Sequence, residues 1–201
     1  MTILAIDTST THGDIALLQD GEILLEDRFI AERGHGSALV PALQKVREMV
    51  ASLDVIAIGL GPGSYAGVRI AIATAMGLRT AFGARLVGIP SVAALDSPSP
   101  RYIAAGDARR DTFYFTKVED GSCTKGPVLL EASALLARIA DAPGWPVLVA
   151  EPLAILPAAI VAHPRAEILA RLAAARRSIV AEGALEPLYL REPHITQPKQ
   201  R

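Results

Sequence analysis

Sulfur chemistry is nearly absent from this chain: one cysteine, Cys123, stands in 201 residues. No internal disulfide can form, and that usage fits a reducing cytosol. Histidine is almost as sparse. His12, His35, His163 and His194 never pair at i, i+3 or i+4, and no H-E-x-x-H occurs, which excludes a metal site built from helical histidines. Excess charge is missing as well, the net being −1. A face that grips a nucleic-acid backbone directly needs a basic block. Arg109-Arg110 and Arg171, Arg176 and Arg177 are the nearest candidates. No charge-free apolar run reaches the length of a membrane span. Met1-Thr2-Ile3-Leu4 lacks the basic start of a signal peptide. A soluble, cytoplasmic protein with no membrane contact is expected.

Hydrophobic residues, at 51%, supply ample core material for one compact domain or two small lobes. Ile3–Ile6 reads as a strand ending in Asp7-Thr8-Ser9-Thr10, followed by a second strand, Asp14–Leu18. An Asp20-Gly21 turn then returns the chain through Ile23–Phe29. The same plan recurs downstream. Tyr102–Ala105 leads to Asp107, Thr112–Val118 follows, and Asp120-Gly121 turns the chain again. Asp107 repeats Asp7 and Asp120-Gly121 repeats Asp20-Gly21 at one constant offset, which indicates an internal duplication. The first lobe should cover residues 1–97 and the second 101–201, with Asp96-Ser97-Pro98-Ser99-Pro100 as linker. Twelve of the 14 prolines lie at or after Pro90, so the second lobe should be shorter and more irregular.

Leu39, Leu43, Val46, Met49, Val50 and Leu53 recur at helical spacing, with His35 at the entry to that helix. Strands are expected at Val55–Ile58, Arg85–Ile89 and Val147–Ala150, and a short helix at Pro90-Ser91. A helix is expected over Arg165–Val180, then a short terminal element, Leu188–Arg191, and a loose tail from Thr196. The helix from Ala66 to Phe82 is apolar nearly all round, so it is buried on two sides, by its sheet and by a neighbouring helix or a partner protein.

Between a strand and that helix lies Gly61-Pro62-Gly63-Ser64-Tyr65-Ala66-Gly67-Val68-Arg69. Glycine lets such a loop reach conformations other residues avoid and aims free N–H groups at an anion. The spacing is not that of a P-loop, because Val68-Arg69 follow Gly67 where Lys-Ser/Thr is required. It also misses the dinucleotide fingerprint G-x-G-x-x-G by one residue. Asp7 at a strand end can hold a phosphate-bound Mg²⁺, with Thr8 and Ser9 offering hydroxyl and N–H groups to the phosphate. Equally, Asp7-Thr8-Ser9 can close a turn on itself. Asp7, Thr8, Ser9, Gly61, Gly63 and Ser64 are therefore the candidate nucleotide or anion contacts. Gly61-Pro62-Gly63-Ser64 is not a nucleophile elbow.

Ala5-Ile6-Asp7-Thr8-Ser9, His35 before Leu39–Leu43, Gly61–Arg69, Asp107-Ala108-Arg109 and Pro187–Arg191 follow one another in this order. Together they resemble the TsaB (YeaZ) family of bacterial tRNA threonylcarbamoyladenosine biosynthesis. Ala66 stands where that family usually has Thr. The resemblance implies an α/β fold: a two-lobed actin-like ATPase (ribonuclease H-like) duplication with mixed sheets. It also implies a non-catalytic subunit, a pseudo-enzyme that binds and activates the paralogue TsaD, the threonylcarbamoyltransferase acting beside the tRNA anticodon. TsaD carries a metal-binding H-x-x-x-H at the positions that here are Ser91 and Leu95, so no metal and no catalytic residue is expected in this chain. The implied partners are TsaD in a heterodimer, TsaE in a larger complex, a second copy when alone, and tRNA mainly through the complex. The implied interface is Leu39, Leu43, Val46 and Met49 with Arg69, Ile72, Met76 and Arg79. The chain itself requires no cofactor, and ATP or ADP can sit at the partner interface. The rival reading is an actin-like ATPase or sugar kinase using Asp7 and the Gly61–Gly67 loop; a metallo-glycoprotease is disfavoured by the missing histidine pair. A third reading is a stand-alone scaffold without a tRNA role.

Overall fold

The computed structural model describes residues 1–30 and 35–190. Arg191 of the expected terminal element and the tail from Thr196 lie outside the described residues. Three antiparallel strands open the chain: β1 (Thr2–Asp7), β2 (His12–Gln19) and β3 (Glu22–Ile30). Helix α1 (His35–Met49), strand β4 (Val55–Gly59), helix α2 (Tyr65–Phe82) and strand β5 (Arg85–Ile89) complete the first unit, with β4 and β5 parallel to β1. A single 3-10 turn, Ser91–Ala94, leads out. The second unit repeats the plan with β6 (Arg101–Asp107), β7 (Thr112–Glu119), β8 (Ser122–Glu131), α3 (Ala132–Ala140), β9 (Val147–Val149) and β10 (Ile160–Val161). The first sheet runs β3-β2-β1-β4-β5 and the second β8-β7-β6-β9-β10, with the same strand senses. The two-lobed α/β duplication with mixed sheets read from the sequence is thus the observed fold. Both Asp-Gly turns also take the left-handed conformation that a two-residue hairpin requires, with φ of 52° and 95° at Asp20-Gly21 and 47° and 71° at Asp120-Gly121.

Strand alternation builds two cores on the first sheet. Leu4, Ile6, Ile15, Leu17, Ile56 and Ile58 face α1 and α2. Ile3, Ala5, Ala16, Val55, Ala57 and Val87 face the other way, against helix α4 (Ala166–Ala174). Covered on both faces, β1 and β4 need no polar side, and Ile3–Ile6 and Val55–Ile58 are continuous apolar runs. Small residues meet small residues on the α4 side: Ala5, Ala16 and Ala57 lie against Ala166, Ala170 and Ala173. Local signals close α2 at both ends. Ser64 Oγ accepts from Gly67 N at 3.2 Å, and Gly83 adopts φ 67° and donates its N–H to Arg79 O at 2.8 Å.

Two parts of the chain differ from the sequence reading. The helix expected over Arg165–Val180 ends at Ala174. Arg176 turns left-handed at φ 52°, and N–H groups of Arg176 and Arg177 cap Ala173 O and Leu172 O at 3.0 and 2.8 Å. The chain then finds better partners on a sheet edge. Val180 N bonds Gly88 O at 2.9 Å, and β11 (Ala181–Glu182) pairs antiparallel with β5. Residues 166–188, placed by the sequence with the second lobe, accordingly pack on the first sheet, where Leu185 and Leu188 also join its core. Strand β8 and helix α3 carry no residue pattern singled out in the sequence; only the duplicated plan implies them. Gly126-Pro127 interrupts β8, which is tolerated because β8 is an edge strand.

Ile58 is fully buried between β1 and the helices. Ile58→Ala is expected to cost about 2–5 kcal/mol in urea denaturation, against less than about 0.5 kcal/mol for the exposed Met49→Ala.

Candidate functional site

The glycine loop after β4 folds onto the end of β1. Asp7 and Thr8 are fully buried and Ser9 nearly so. Asp7 Oδ1 accepts from Ser9 N at 2.8 Å and from Ser9 Oγ at 2.6 Å, while Thr8 Oγ1 donates to Gly67 O at 2.7 Å. Ser64 N donates to Ser9 O at 2.6 Å, so the loop and the strand end are stitched through backbone. Three glycines make room for this. A Cβ on Gly63 would fall 2.1 Å from Ser9 O, and one on Gly59 would fall 1.7 Å from Asp7 Oδ2. Gly61 holds φ 87°. Ser91 closes the far side: its Oγ accepts from Gly61 N at 2.9 Å, and its N–H donates to Gly61 O at 2.8 Å.

All six candidate anion contacts are therefore brought together. Asp7, Thr8, Ser9 and Gly61 are buried, whereas Gly63 and Ser64 face solvent. Asp107, the repeat of Asp7, forms the equivalent turn in the open. It is exposed, its Oδ1 accepts from Arg109 N at 2.6 Å, and Oδ2 pairs with Arg109 at 3.4 Å. The sequence reading passed over Gly59, whose glycine at the end of an apolar strand was the available signal.

The eight candidate interface residues divide by face. Leu39, Val46 and Ile72 are buried in the first lobe's own core, and Leu43 packs half-buried against it. Met49, Arg69, Met76 and Arg79 are exposed. Helical spacing marks one stripe as apolar but does not say which apolar residues turn outward. Val40 and Tyr65 add exposed apolar surface to the same two helices, at 57% and 55% exposure. Arg69 lies over the Tyr65 ring at 4.0 Å and donates from Nε to Tyr189 Oη at 2.8 Å, which ties the end of the described chain to α2. Neither tyrosine was singled out from the sequence.

The family model for tRNA N6-adenosine threonylcarbamoyltransferase, TsaD, matches residues 29–184. The chain belongs to the TsaD family. Within it the chain is TsaB-like. An uncharacterized protein of Mycobacterium tuberculosis is 32% identical over 96% of this chain and 92% of its own length. The tRNA threonylcarbamoyladenosine biosynthesis protein TsaB of Haemophilus influenzae is 35% identical over 59% of this chain and 54% of its own. The solved structure of YeaZ from Pseudomonas aeruginosa superposes with a TM-score of 0.73 at 29% identity, covering 94% of this chain and 99% of that one. Ser91 and Leu95 are the two positions that the resemblance matches to a histidine pair in TsaD. Here Ser91 is bonded to Gly61, and Leu95 is buried in a second-lobe cluster with Tyr102 and Leu148. Among the described residues, no group of three His, Cys, Asp or Glu side chains is placed to hold a metal ion. No helix among them is long and apolar enough to cross a membrane.

Close packing at Gly63 and open space at Gly77 give a paired test. Gly63→Ala should destabilise the fold by about 1–3 kcal/mol. Gly77→Ala, on a helix face with no neighbour within 4 Å, should stabilise it by roughly 0.5–1 kcal/mol. Urea denaturation of both variants reads the difference.

Proposed function

We propose that this chain is a non-catalytic subunit that binds and activates TsaD in forming N6-threonylcarbamoyladenosine beside the tRNA anticodon. Its relatives named TsaB support the tRNA-modification role. The observation that carries the non-catalytic part is the use of Ser91 and Leu95. On the resemblance both fall at TsaD's metal-ligand positions, and both are taken up in internal packing. Transfer chemistry is then the partner's, and what this chain offers is a surface.

The contact face is the exposed side of α1 and α2, centred on Met49, Arg69, Met76 and Arg79. Methionine, arginine and tyrosine are the residue types enriched where proteins pair. The same face serves a homodimer when TsaD is missing. TsaE joins a larger complex, and tRNA meets the chain mainly through that complex. Nucleotide at the partner interface, ATP or ADP, would touch this chain through Gly63 and Ser64, the exposed members of the loop.

Size-exclusion chromatography with light scattering tests the reading. Mixed with TsaD of the same organism, the chain should run as a heterodimer. Met76→Asp should weaken pairing at least about tenfold, or about 1.4 kcal/mol, while leaving the melting temperature unchanged. A folded Met76→Asp variant that pairs normally would exclude this surface. No complex, with ATP hydrolysis that Asp7→Ala abolishes, would favour the ATPase reading.

A further inference from the structure

A second polar centre lies where α4 begins, away from the glycine loop. Spacing of two residues puts His12 and Asp14 on one face of β2, and His163 and Arg165 lie across from them. The His12 and His163 rings stack with centroids 3.8 Å apart. Asp14 Oδ2 accepts from Arg165 Nε at 3.3 Å and from Ala166 N, the first helical residue, at 3.1 Å. Arg165 also bonds Asp96 at 3.0 Å, Glu167 at 3.4 Å and Glu26. These groups border a cavity of about 210 Å³ lined by His12, Asp14, Arg28, Asp96, His163 and Arg165.

Two side-chain atoms of these lining residues have no hydrogen-bond partner among the described residues: Asp14 Oδ1 and His163 Nδ1, both buried. Asp14 is only 2% exposed. A buried carboxylate oxygen without a donor is costly, and so is a buried imidazole nitrogen. The charges nearby do not balance. Asp14, Glu26, Asp96 and Glu167 carry four negative charges against two positive charges on Arg28 and Arg165. The surplus favours a cation that is also a hydrogen-bond donor. Arg165 already has carboxylate partners for all three of its nitrogens, so it offers Asp14 Oδ1 no further donor. The cavity has room for several waters, which suits a small aliphatic molecule.

We infer that this cavity binds a small aliphatic ammonium ion, a mono- or diamine, whose –NH₃⁺ donates to Asp14 Oδ1 and His163 Nδ1. Ammonium fits because it supplies several donors from one compact charge. Burial, followed by the neighbouring His12, holds His163 below the usual imidazole range, so it keeps an acceptor lone pair at neutral pH. Burial pushes the Asp14 carboxyl up to about 6, so Asp14 is mostly ionised at pH 7.5 and loses its charge as pH falls through that value. Arg165, Arg28 and Glu26 also act on Asp14, and Glu151 on His163. Glu26, though disfavoured by its own burial, is held low by Arg165 and stays ionised over the same range.

Putrescine is the probe, titrated at pH 7.5 with ionic strength held constant by sodium chloride, and read by the His163 ring resonances and the melting temperature. Saturable shifts and a rising melting temperature are expected, with half-saturation on the order of 1 mM. Affinity should drop about fourfold at pH 5.5 as Asp14 protonates. Asp14→Asn should weaken binding at least tenfold. Because Asp14 also anchors α4, His163→Phe is the second variant: it keeps a ring stacked on His12, removes Nδ1, and should weaken binding similarly. A response matched by sodium chloride alone, no saturable response, or full binding by His163→Phe would overturn the site.

Discussion

The contact between Gly63 and Ser9 sets the position of most of what this chain can present to others. Ser64 N reaches Ser9 O only because nothing projects from Gly63, and Ser64 is also the cap of α2. The strand end therefore fixes where α2 starts, and α2 carries Arg69, Met76 and Arg79 on its outer face. Asp7 supports the arrangement from below, its Oδ1 held by Ser9 and its Oδ2 occupying the space that Gly59 leaves. A motif suited by composition to cradling phosphate is here used to join a strand, a loop and a helix.

Helix α4 does the corresponding work on the opposite face. Arg165, at its N-cap position, makes no capping bond, and Asp14 of β2 satisfies the first helical N–H instead. Alanine on both surfaces lets the helix lie close on the sheet. Past its end, the chain pairs with β5 and then bonds Leu188 N to Leu60 O at 2.9 Å, beside the glycine loop. Tyr189 follows and meets Arg69. The last described segment thus returns to the helix that bears the proposed contact face.

Local and periodic features were legible in the sequence. The Asp-Gly turns, the apolar strands β1, β4 and β5, and the capped helix α2 each follow from neighbours within a few residues. The repeat of Asp7 as Asp107 marks the duplication in the sequence alone. Long-range pairing was hidden. Asp14 and Arg165 are far apart in sequence, and neither is unusual alone. Arg176 offers no glycine to mark the end of α4, and the edge of β5 that captures Ala181 is a tertiary partner. Leu39 and Met49 share one helical stripe in sequence, yet one is 1% exposed and the other 46%, because packing on α2 and the sheet covers only part of it. Among the candidate anion contacts, residue types were readable, but their burial against one another was not.

Reconstituted threonylcarbamoyl transfer to tRNA tests the central claim most directly. TsaD of the same organism is assayed with TsaE and ATP, with and without this chain, and the chain is also assayed alone. The account predicts strong stimulation of TsaD by the chain and no transfer by the chain itself. Transfer by the chain without TsaD, or TsaD activity indifferent to its addition, would contradict it.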